Sequence, residues 1–265
     1  LKPASKKRKI LIIGGGPAGM KAATVAASRG HKVKLIEASS ELGGQVNLAQ
    51  RLPGRSEFGG ITTNLANKLH NQNVEIKFKT KASIKFVIQE APEVVILATG
   101  GRSFEPKIDG KENAHVVTAR QILEGKANVG SRVAIADWRC DWVGLGLAEL
   151  LARQGCHVRL ACNGMVPGQT INQYVRDNWL GTLHKLNVET FTHLRLRGID
   201  SEDAFFQHTL SGEPVILNDV DTLVTAFGAE SANTLEAELK NKFQSGLYVI
   251  GDALSPVSYT HLTLP

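Results

Sequence analysis

Apolar residues along this chain fall into two patterns, short continuous runs and stripes at helical spacing, and the two alternate. Ile10-Leu-Ile-Ile13 is a continuous run, which reads as a strand covered on both faces within a parallel sheet. Pro17 to about Arg29 is predicted to follow as a helix, since proline suits a first helical turn and Gly30 stops the pattern. Lys32 to Glu37 reads as a second strand. Phe58, Ile61, Leu65 and Leu69 recur at helical spacing, so a helix is predicted after the Pro53-Gly54 turn, with that stripe as core. Val74 to Lys79 and Ser83 to Gln89 read as short strands of an antiparallel flap, and Val94 to Ala98 as another buried parallel strand. A second alternation then begins. It comprises a Thr118-capped helix to about Gly125, a strand Arg132 to Ala136, a helix Gly144 to Gln154 and a strand His157 to Ala161. A helix from about Ile171 to Leu186, a strand near Val188 and the run Asp221 to Gly228 complete it. The repeat of strand, helix and strand predicts an α/β fold.

The first strand runs straight into Gly14-Gly-Gly-Pro-Ala-Gly19. The glycines of the spaced triplet do different things. Gly14 allows the tight strand-to-helix turn, Gly16 lets backbone approach a diphosphate, and Gly19 lets helix and strand pack closely. The helix opened by Pro17 and Ala18 points unpaired N–H groups and the positive end of its dipole at the anion. Glu37, with Ala38 beside it, ends the next strand about 20 residues on, where a carboxylate accepts hydrogen bonds from a ribose diol. A 2′-phosphate would be repelled there. Strand, glycines, helix, strand and acid in register point to a dinucleotide.

Composition is that of a globular chain of 265 residues with 42% hydrophobic content, enough for one large or two modest cores. Cys140, Cys156 and Cys162 are odd in number, none belongs to a Cys-x-x-Cys pair, and no histidine cluster has metal spacing. A disulfide framework and a metal site are therefore not expected. No apolar run approaches about 18 residues and no signal peptide precedes the first strand, so a cytoplasmic location without membrane contact is expected; the first residue is Leu1 rather than Met. The net charge of +6 and the pI near 9.2 suit an anionic cofactor or an acidic partner surface. Lys6-Lys-Arg-Lys9 reads as a solvated linker, and 6% aromatic content without an interleaved basic face gives no platform for nucleic acid.

Further motifs extend the picture. The order Gly14 to Gly19, Glu37, Gly43-Gly44-Gln45, Leu97-Ala98-Thr99-Gly100-Gly101 and Tyr248-Val249-Ile250-Gly251-Asp252 resembles the flavoproteins with two dinucleotide domains. That resemblance implies FAD, with Gly44 and Gln45 along it, Ala98, Thr99 and Gly100 at the crossover into a second domain, and Gly251 and Asp252 on the ribityl and phosphate side. The missing cysteine pair argues against the thioredoxin-reductase and disulfide-reductase relatives. Gly44-Gln-Val-Asn-Leu-Ala-Gln-Arg-Leu-Pro-Gly-Arg-Ser-Glu-Phe58 is similar to the C-terminal half of the family of 2,4-dienoyl-CoA reductase, trimethylamine dehydrogenase and the N-methylproline demethylase-like enzymes. The resemblance runs from about Lys9 to Asp252. It implies a missing N-terminal barrel of the old yellow enzyme type, carrying FMN and a 4Fe-4S cluster, which would bind the small-molecule substrate and exchange electrons with this half. A homo-oligomer is expected for the full-length protein. On this basis two Rossmann-like dinucleotide-binding domains are predicted, parallel sheets with flanking helices: an FAD domain over 1–102 and 229–265, and an inserted NAD(P)- or ADP-type domain over 103–228.

The second domain departs from the usual pattern. Its turn reads Asp137-Trp-Arg-Cys-Asp-Trp-Val143, longer by about two residues, with Gly144 at the third glycine position and the first two glycines absent. Asp137 and Asp141 would repel a diphosphate, Arg139 offsets them in part, and Cys162 stands where a strand-end acid would be. Productive NAD(P)H binding is therefore not expected here, and the resemblance leans to the demethylase and amine-dehydrogenase branch. Trp138 and Trp142 read as packing residues, and Cys140 as a plain thiol. After Asp252 a helix should begin, yet Ser255 to Pro265 holds two prolines and no helical period. The natural chain is expected to be cut short near Pro256, with Ser258 to Pro265 resembling adapter read-through, so that the closing helix is lost and the fragment binds flavin weakly or folds incompletely. No side chain reads as an acid, base or nucleophile, and the flavin would carry the chemistry. The expected function is an FAD-dependent oxidoreductase and electron-transfer module acting on N-methylated amines or enoyl compounds. The alternatives are an NAD(P)H-dependent flavin reductase module and a structural ADP- or FAD-holding domain through which no electrons pass.

Overall fold

The computed structural model describes residues 1–243 and 245–256. The chain forms two compact units, Leu1–Arg102 with Ala229–Pro256, and Ser103–Gly228.

The first unit opens with β1 (Lys9–Ile13), α1 (Pro17–Ser28) and β2 (Lys32–Ile36), within a residue or so of the spans that the apolar pattern predicts. Next come α2 (Val46–Ala49) and α3 (Gly59–Asn71). Leu65 and Leu69 of the predicted stripe are buried, whereas Ile61 is 39% exposed and Phe58 lies under the Arg55 guanidinium at 4.6 Å. β3 (Glu75–Lys77), α4 (Ile84–Glu90), β4 (Val94–Leu97) and β5 (Gly101–Ser103) follow. The antiparallel flap expected over Val74 to Gln89 is not formed. β3 joins β2 in parallel, Lys34 opposite Glu75, and so extends the main sheet. Ile84 to Glu90 is instead the helix α4, because the Ser83 hydroxyl accepts from the Phe86 N–H at 3.2 Å and caps it. Its apolar residues Ile84, Phe86 and Val87 serve one core while Ile88 faces out, a one-sided burial that alternation along the sequence imitates.

The second unit comprises β6 (Val116–Thr118), α5 (Ala119–Leu123), β7 (Arg132–Asp137), α6 (Trp142–Arg153), β8 (His157–Cys162), α7 (Gln173–Lys185), β9 (Glu189–Phe191), β10 (Leu194–Ile199), β11 (Ala204–His208), β12 (Pro214–Leu217) and β13 (Thr222–Ala226). Thr118 and Gln121 close a reciprocal capping box on α5, where the sequence places the cap. α6 starts two residues earlier than expected, since the Asp141 carboxylate accepts from the Val143 N–H at 2.9 Å. A parallel sheet runs in the order β6-β13-β7-β8-β9. The antiparallel sheet β10-β11-β12 is not among the elements expected from the sequence; its Leu194, Ile199, Ala204, Phe206 and Leu217 share a core with Ala134, Ala136, Ala161 and Leu223 of the parallel strands. Buried Arg159 fastens β8 to the connection after β12 by donating to the carbonyls of Asn218 (2.5 Å) and Asp219 (2.8 Å).

The chain then returns to the first unit through β14 (Ala229–Ser231), paired with β5, then α8 (Leu235–Lys240) and β15 (Leu247–Val249). The main sheet has the order β15-β4-β1-β2-β3 and is parallel throughout. Alternate residues of β1 serve its two faces: Ile10 and Ile12 pack with Met20, Ala23, Leu35 and Leu69, while Leu11 and Ile13 pack with Val87, Leu97 and Leu239. That is why the strand is apolar at every position. A single 3₁₀ turn over Gly251–Ala253 stands where the closing helix was sought, and the read-through expected over Ser258 to Pro265 lies outside the described residues. Among the described residues no helix is long and apolar enough to cross a membrane, and no group of three or more histidine, cysteine or acidic residues could hold a metal.

Candidate functional site

Sheet order decides where a ligand can sit. From β1 the chain moves to β2 and β3 on one side and later to β4 and β15 on the other, so a crevice opens between the loops after β1 and β4, outside the carboxyl ends of the strands. That edge receives Gly14 to Gly19 after β1, Glu37 and Ala38 after β2, Ala98 to Gly100 after β4, and Gly251 with Asp252 after β15. Residues from four distant parts of the sequence meet there because parallel strands all end on the same edge.

The glycine turn is built to two different tolerances. Gly14 has φ +111, and a β-carbon there would enter the Ala98 carbonyl; on Gly19 it would enter the Gly14 carbonyl oxygen and stand 3.2 Å from the Ala98 β-carbon. Both positions are closed by backbone. Gly16 differs, since a β-carbon there would meet nothing within 4 Å. Gly16 caps α1 in extended geometry, Pro17 occupies the first helical position, and the first N–H turned back into the helix is that of Met20, donating to the Gly16 carbonyl at 2.9 Å. The Ala18 and Gly19 N–H groups therefore belong to the helix start, which has no carbonyl of its own to offer them. Open space in front of bare backbone donors fits a diphosphate. Gly15, to which the sequence motif assigns no role, donates its N–H to the Glu37 carboxylate at 2.6 Å, and its carbonyl accepts from the Gly43 N–H at 2.9 Å. The second glycine pair is thereby docked on the first turn.

Glu37 also accepts from the Ser39 N–H at 2.7 Å, just past exposed Ala38, so its carboxylate is held beside the turn by two backbone donors. Gln45 donates to Asp252 at 2.8 Å and joins the loop carrying Gly44 to the end of β15. Gly251 is left-handed at φ +62, with a would-be β-carbon 2.7 Å from that of Ala18, so this loop lies against the first turn of α1. Thr99 donates to the Ala232 carbonyl at 2.5 Å, and the Gly100 carbonyl accepts from the Ala232 N–H at 3.0 Å. These bonds close the rim of the crevice.

The corresponding turn of the second unit is filled by its own side chain. Asp137 is buried, and one of its oxygens accepts from the Arg139 and Cys140 N–H groups at 3.1 and 2.9 Å. Those are donors that a phosphate would otherwise engage. The other oxygen lies against Gly144, buried and without a hydrogen-bond partner. Burial, followed by the nearby Asp141 and Cys140, pushes the Asp137 carboxyl well above the usual carboxylate range. The repulsion foreseen from this residue is joined by plain occupation of the seat by a buried carboxyl whose charged form burial disfavours. Trp138 stacks on Phe227 at 5.9 Å with Arg195 over its ring, and Trp142 packs on Trp179, whose ring N–H donates to buried Glu149 at 2.6 Å.

An expected consequence concerns stability. A carboxyl whose proton is bound more tightly in the folded than in the unfolded chain makes folding less favourable as pH rises above the unfolded value of about 3.9. Asp137→Asn has no proton to lose and keeps the acceptor. Its stability relative to the wild type should rise as pH increases above the unfolded carboxyl value, read by urea unfolding. A pH-independent difference would show that Asp137 ionises freely.

Residues 8–255 match the model of the pyridine nucleotide-disulphide oxidoreductase family. N,N-dimethylglycine/sarcosine dehydrogenase of Chromohalobacter salexigens is 31% identical over 245 residues, 89% of this chain and 35% of that protein. The probable N-methylproline demethylase of Rhizobium meliloti is 34% identical over 198 residues, 73% of this chain and 28% of that protein. Among solved structures, 2-naphthoyl-CoA reductase in complex with 2-naphthoyl-CoA superposes with a TM-score of 0.89 at 29% identity, over 97% of this chain and 38% of that one. The chain thus spans about a third of the length of the proteins it resembles. The kinship read from Gly44 to Phe58 and the α/β architecture both hold. With a family match over nearly its whole length and the glycine turn, acid and late aspartate on one sheet edge, this chain belongs to the pyridine nucleotide-disulphide oxidoreductase family as a flavin-type oxidoreductase domain.

Proposed function

We propose that the first unit binds FAD and that this chain is the FAD-holding part of a longer oxidoreductase acting on an N-methylated amine or an enoyl compound. The observation that carries the reading is the open space at Gly16 amid positions closed by backbone at Gly14 and Gly19. The N–H groups of the first turn of α1 would receive the diphosphate, Glu37 the adenosine ribose, and Asp252, oriented by Gln45, the ribityl side. Gly44 and the Ala98-Thr99-Gly100 turn would line the flavin, with the Thr99 hydroxyl already engaged by the Ala232 carbonyl. Bound FAD supplies two-electron redox chemistry, and the protein supplies position and electrostatics.

The remainder of the proposal rests on the family resemblance carried by Gly44 to Phe58 and on the sequence reading. A barrel carrying FMN and a 4Fe-4S cluster, with the substrate in it, would precede this part. The full-length protein would work in the cytoplasm as a homo-oligomer, without nucleic acid or membrane partners. The second unit would not take electrons from NAD(P)H through its turn, because Asp137 already uses the donors there; any ADP or NAD(P) would have to bind without them. The test is anaerobic mixing of the full-length protein with NADH, NADPH, a methylated amine or an enoyl thioester, following flavin absorbance. Bleaching by a methylated amine, or reoxidation of dithionite-reduced flavin by an enoyl compound, is expected. Rapid bleaching by NADPH would overturn the reading of the second unit.

A further inference from the structure

Two of the three cysteines, separated by 22 positions in sequence, meet at the carboxyl edge of the second parallel sheet. Cys140 lies in the turn after β7, and Cys162 ends β8, paired in register with Asp137. They are 4% and 0% exposed. Gly164 ties them together, its N–H donating to the Cys140 sulfur at 3.2 Å while the Cys162 thiol donates to its carbonyl at 3.5 Å. A β-carbon on Gly164 would stand 3.0 Å from the Cys140 sulfur, so the loop after β8 presses directly on it. Cys140 itself is left-handed at φ +50, a conformation that favours glycine, and its carbonyl accepts both the N–H and the hydroxyl of Thr170, at 3.1 and 3.0 Å. Two bonds from one residue hold the strained backbone that aims this thiol inward.

We infer that Cys140 and Cys162 form a reversible dithiol–disulfide couple, oxidised by a small hydroperoxide, in the seat where a nucleotide-binding turn would otherwise hold a diphosphate. The chemistry balances with the peroxide as oxidant. The Cys140 thiolate attacks one peroxide oxygen, giving a sulfenic acid and releasing water or an alcohol once a proton is taken up. The Cys162 sulfur then attacks the Cys140 sulfur, the S–S bond forms, and the sulfenic oxygen leaves as a second water. Two electrons pass from the thiol pair to the peroxide, and a dithiol reductant restores the pair.

The surroundings divide the roles. The neighbouring Cys162 thiol, then the backbone donors of Gly164 and Asn163, lower Cys140 to about 7 against burial and Asp141, whereas the adjacent Cys140 sulfur and burial push Cys162 up. Cys140 is the attacking sulfur and Cys162 the resolving one. Exposed Trp138 (40%) and Arg139 immediately precede buried Cys140, so the oxidant must be small enough to pass between them.

Trypsin places the three cysteines on separate peptides, 140–153, 154–159 and 160–176, which makes the test direct on the full-length protein without any variant. After treatment with hydrogen peroxide under native conditions and blocking of free thiols, a cross-linked peptide joining 140–153 to 160–176 is expected, lost on dithiothreitol treatment. Glutathione disulfide should give at least about tenfold less of it. A Cys162→Ser variant should instead accumulate sulfinic and sulfonic acid at Cys140, with 154–159 as the internal comparison. A cross-link involving 154–159, or no cross-link in native protein that forms one after urea, would overturn the inference.

Discussion

Gly19→Ala is expected to unfold the first unit. Its new methyl group would overlap the Gly14 carbonyl oxygen and crowd the Ala98 side chain, and neither the turn nor β4 can retreat without breaking the parallel ladder. Forcing one carbon into packed backbone costs about 3 kcal/mol or more, a large share of the about 5–15 kcal/mol that a domain holds in reserve. Limited proteolysis of the full-length protein should show new cuts within 1–102 while 103–228 stays protected, because the second unit has its own core. Wild-type resistance in the first unit would mean that α1 does not pack on β1 as described.

Gly16→Val, three residues away in the same turn, should do the opposite. Gly16 has φ −73 and ψ 177, which any residue adopts, and nothing lies within 4 Å of a β-carbon there. Stability in the absence of cofactor should change by no more than about 0.5 kcal/mol. Flavin affinity, however, should fall by about 100-fold or more, near 2.7 kcal/mol, because the branched side chain fills the space in front of the helix N-terminus. Fluorescence titration of the cofactor-stripped protein with FAD measures the loss, and chemical unfolding measures the unchanged fold. A pair of neighbouring glycines that separates folding from binding is difficult to explain unless that space is the diphosphate seat.

Much of this was legible in the sequence, for identifiable reasons. β1 had to be apolar throughout to serve two cores, and Gly14, Gly16 and Gly19 each carry a constraint that shows in residue type. Thr118 with Gln121 announced a helix start through a bond between neighbours in sequence. Ser83 to Gln89 misled because a one-sided helix of seven residues offers too few turns to tell its period from that of a strand, and the Ser83 cap was the better signal. The alternation Leu194-Arg-Leu-Arg197 was available and marks β10, but β11 and β12 are short and declare themselves only by sharing its core. Contacts across long sequence separations could not be read at all. Gln45 reaches Asp252 and Cys140 meets Cys162 because parallel strands end on a common edge, not through any local pattern.

The flavin-loaded full-length protein, solved crystallographically, settles where the dinucleotide lies. Diphosphate oxygens are expected within about 3 Å of the N–H groups that open α1, with the adenosine ribose hydroxyls on Glu37 and Asp252 facing the ribityl chain. A diphosphate seated elsewhere, or Glu37 turned away from the sugar, would contradict the assignment of this sheet edge.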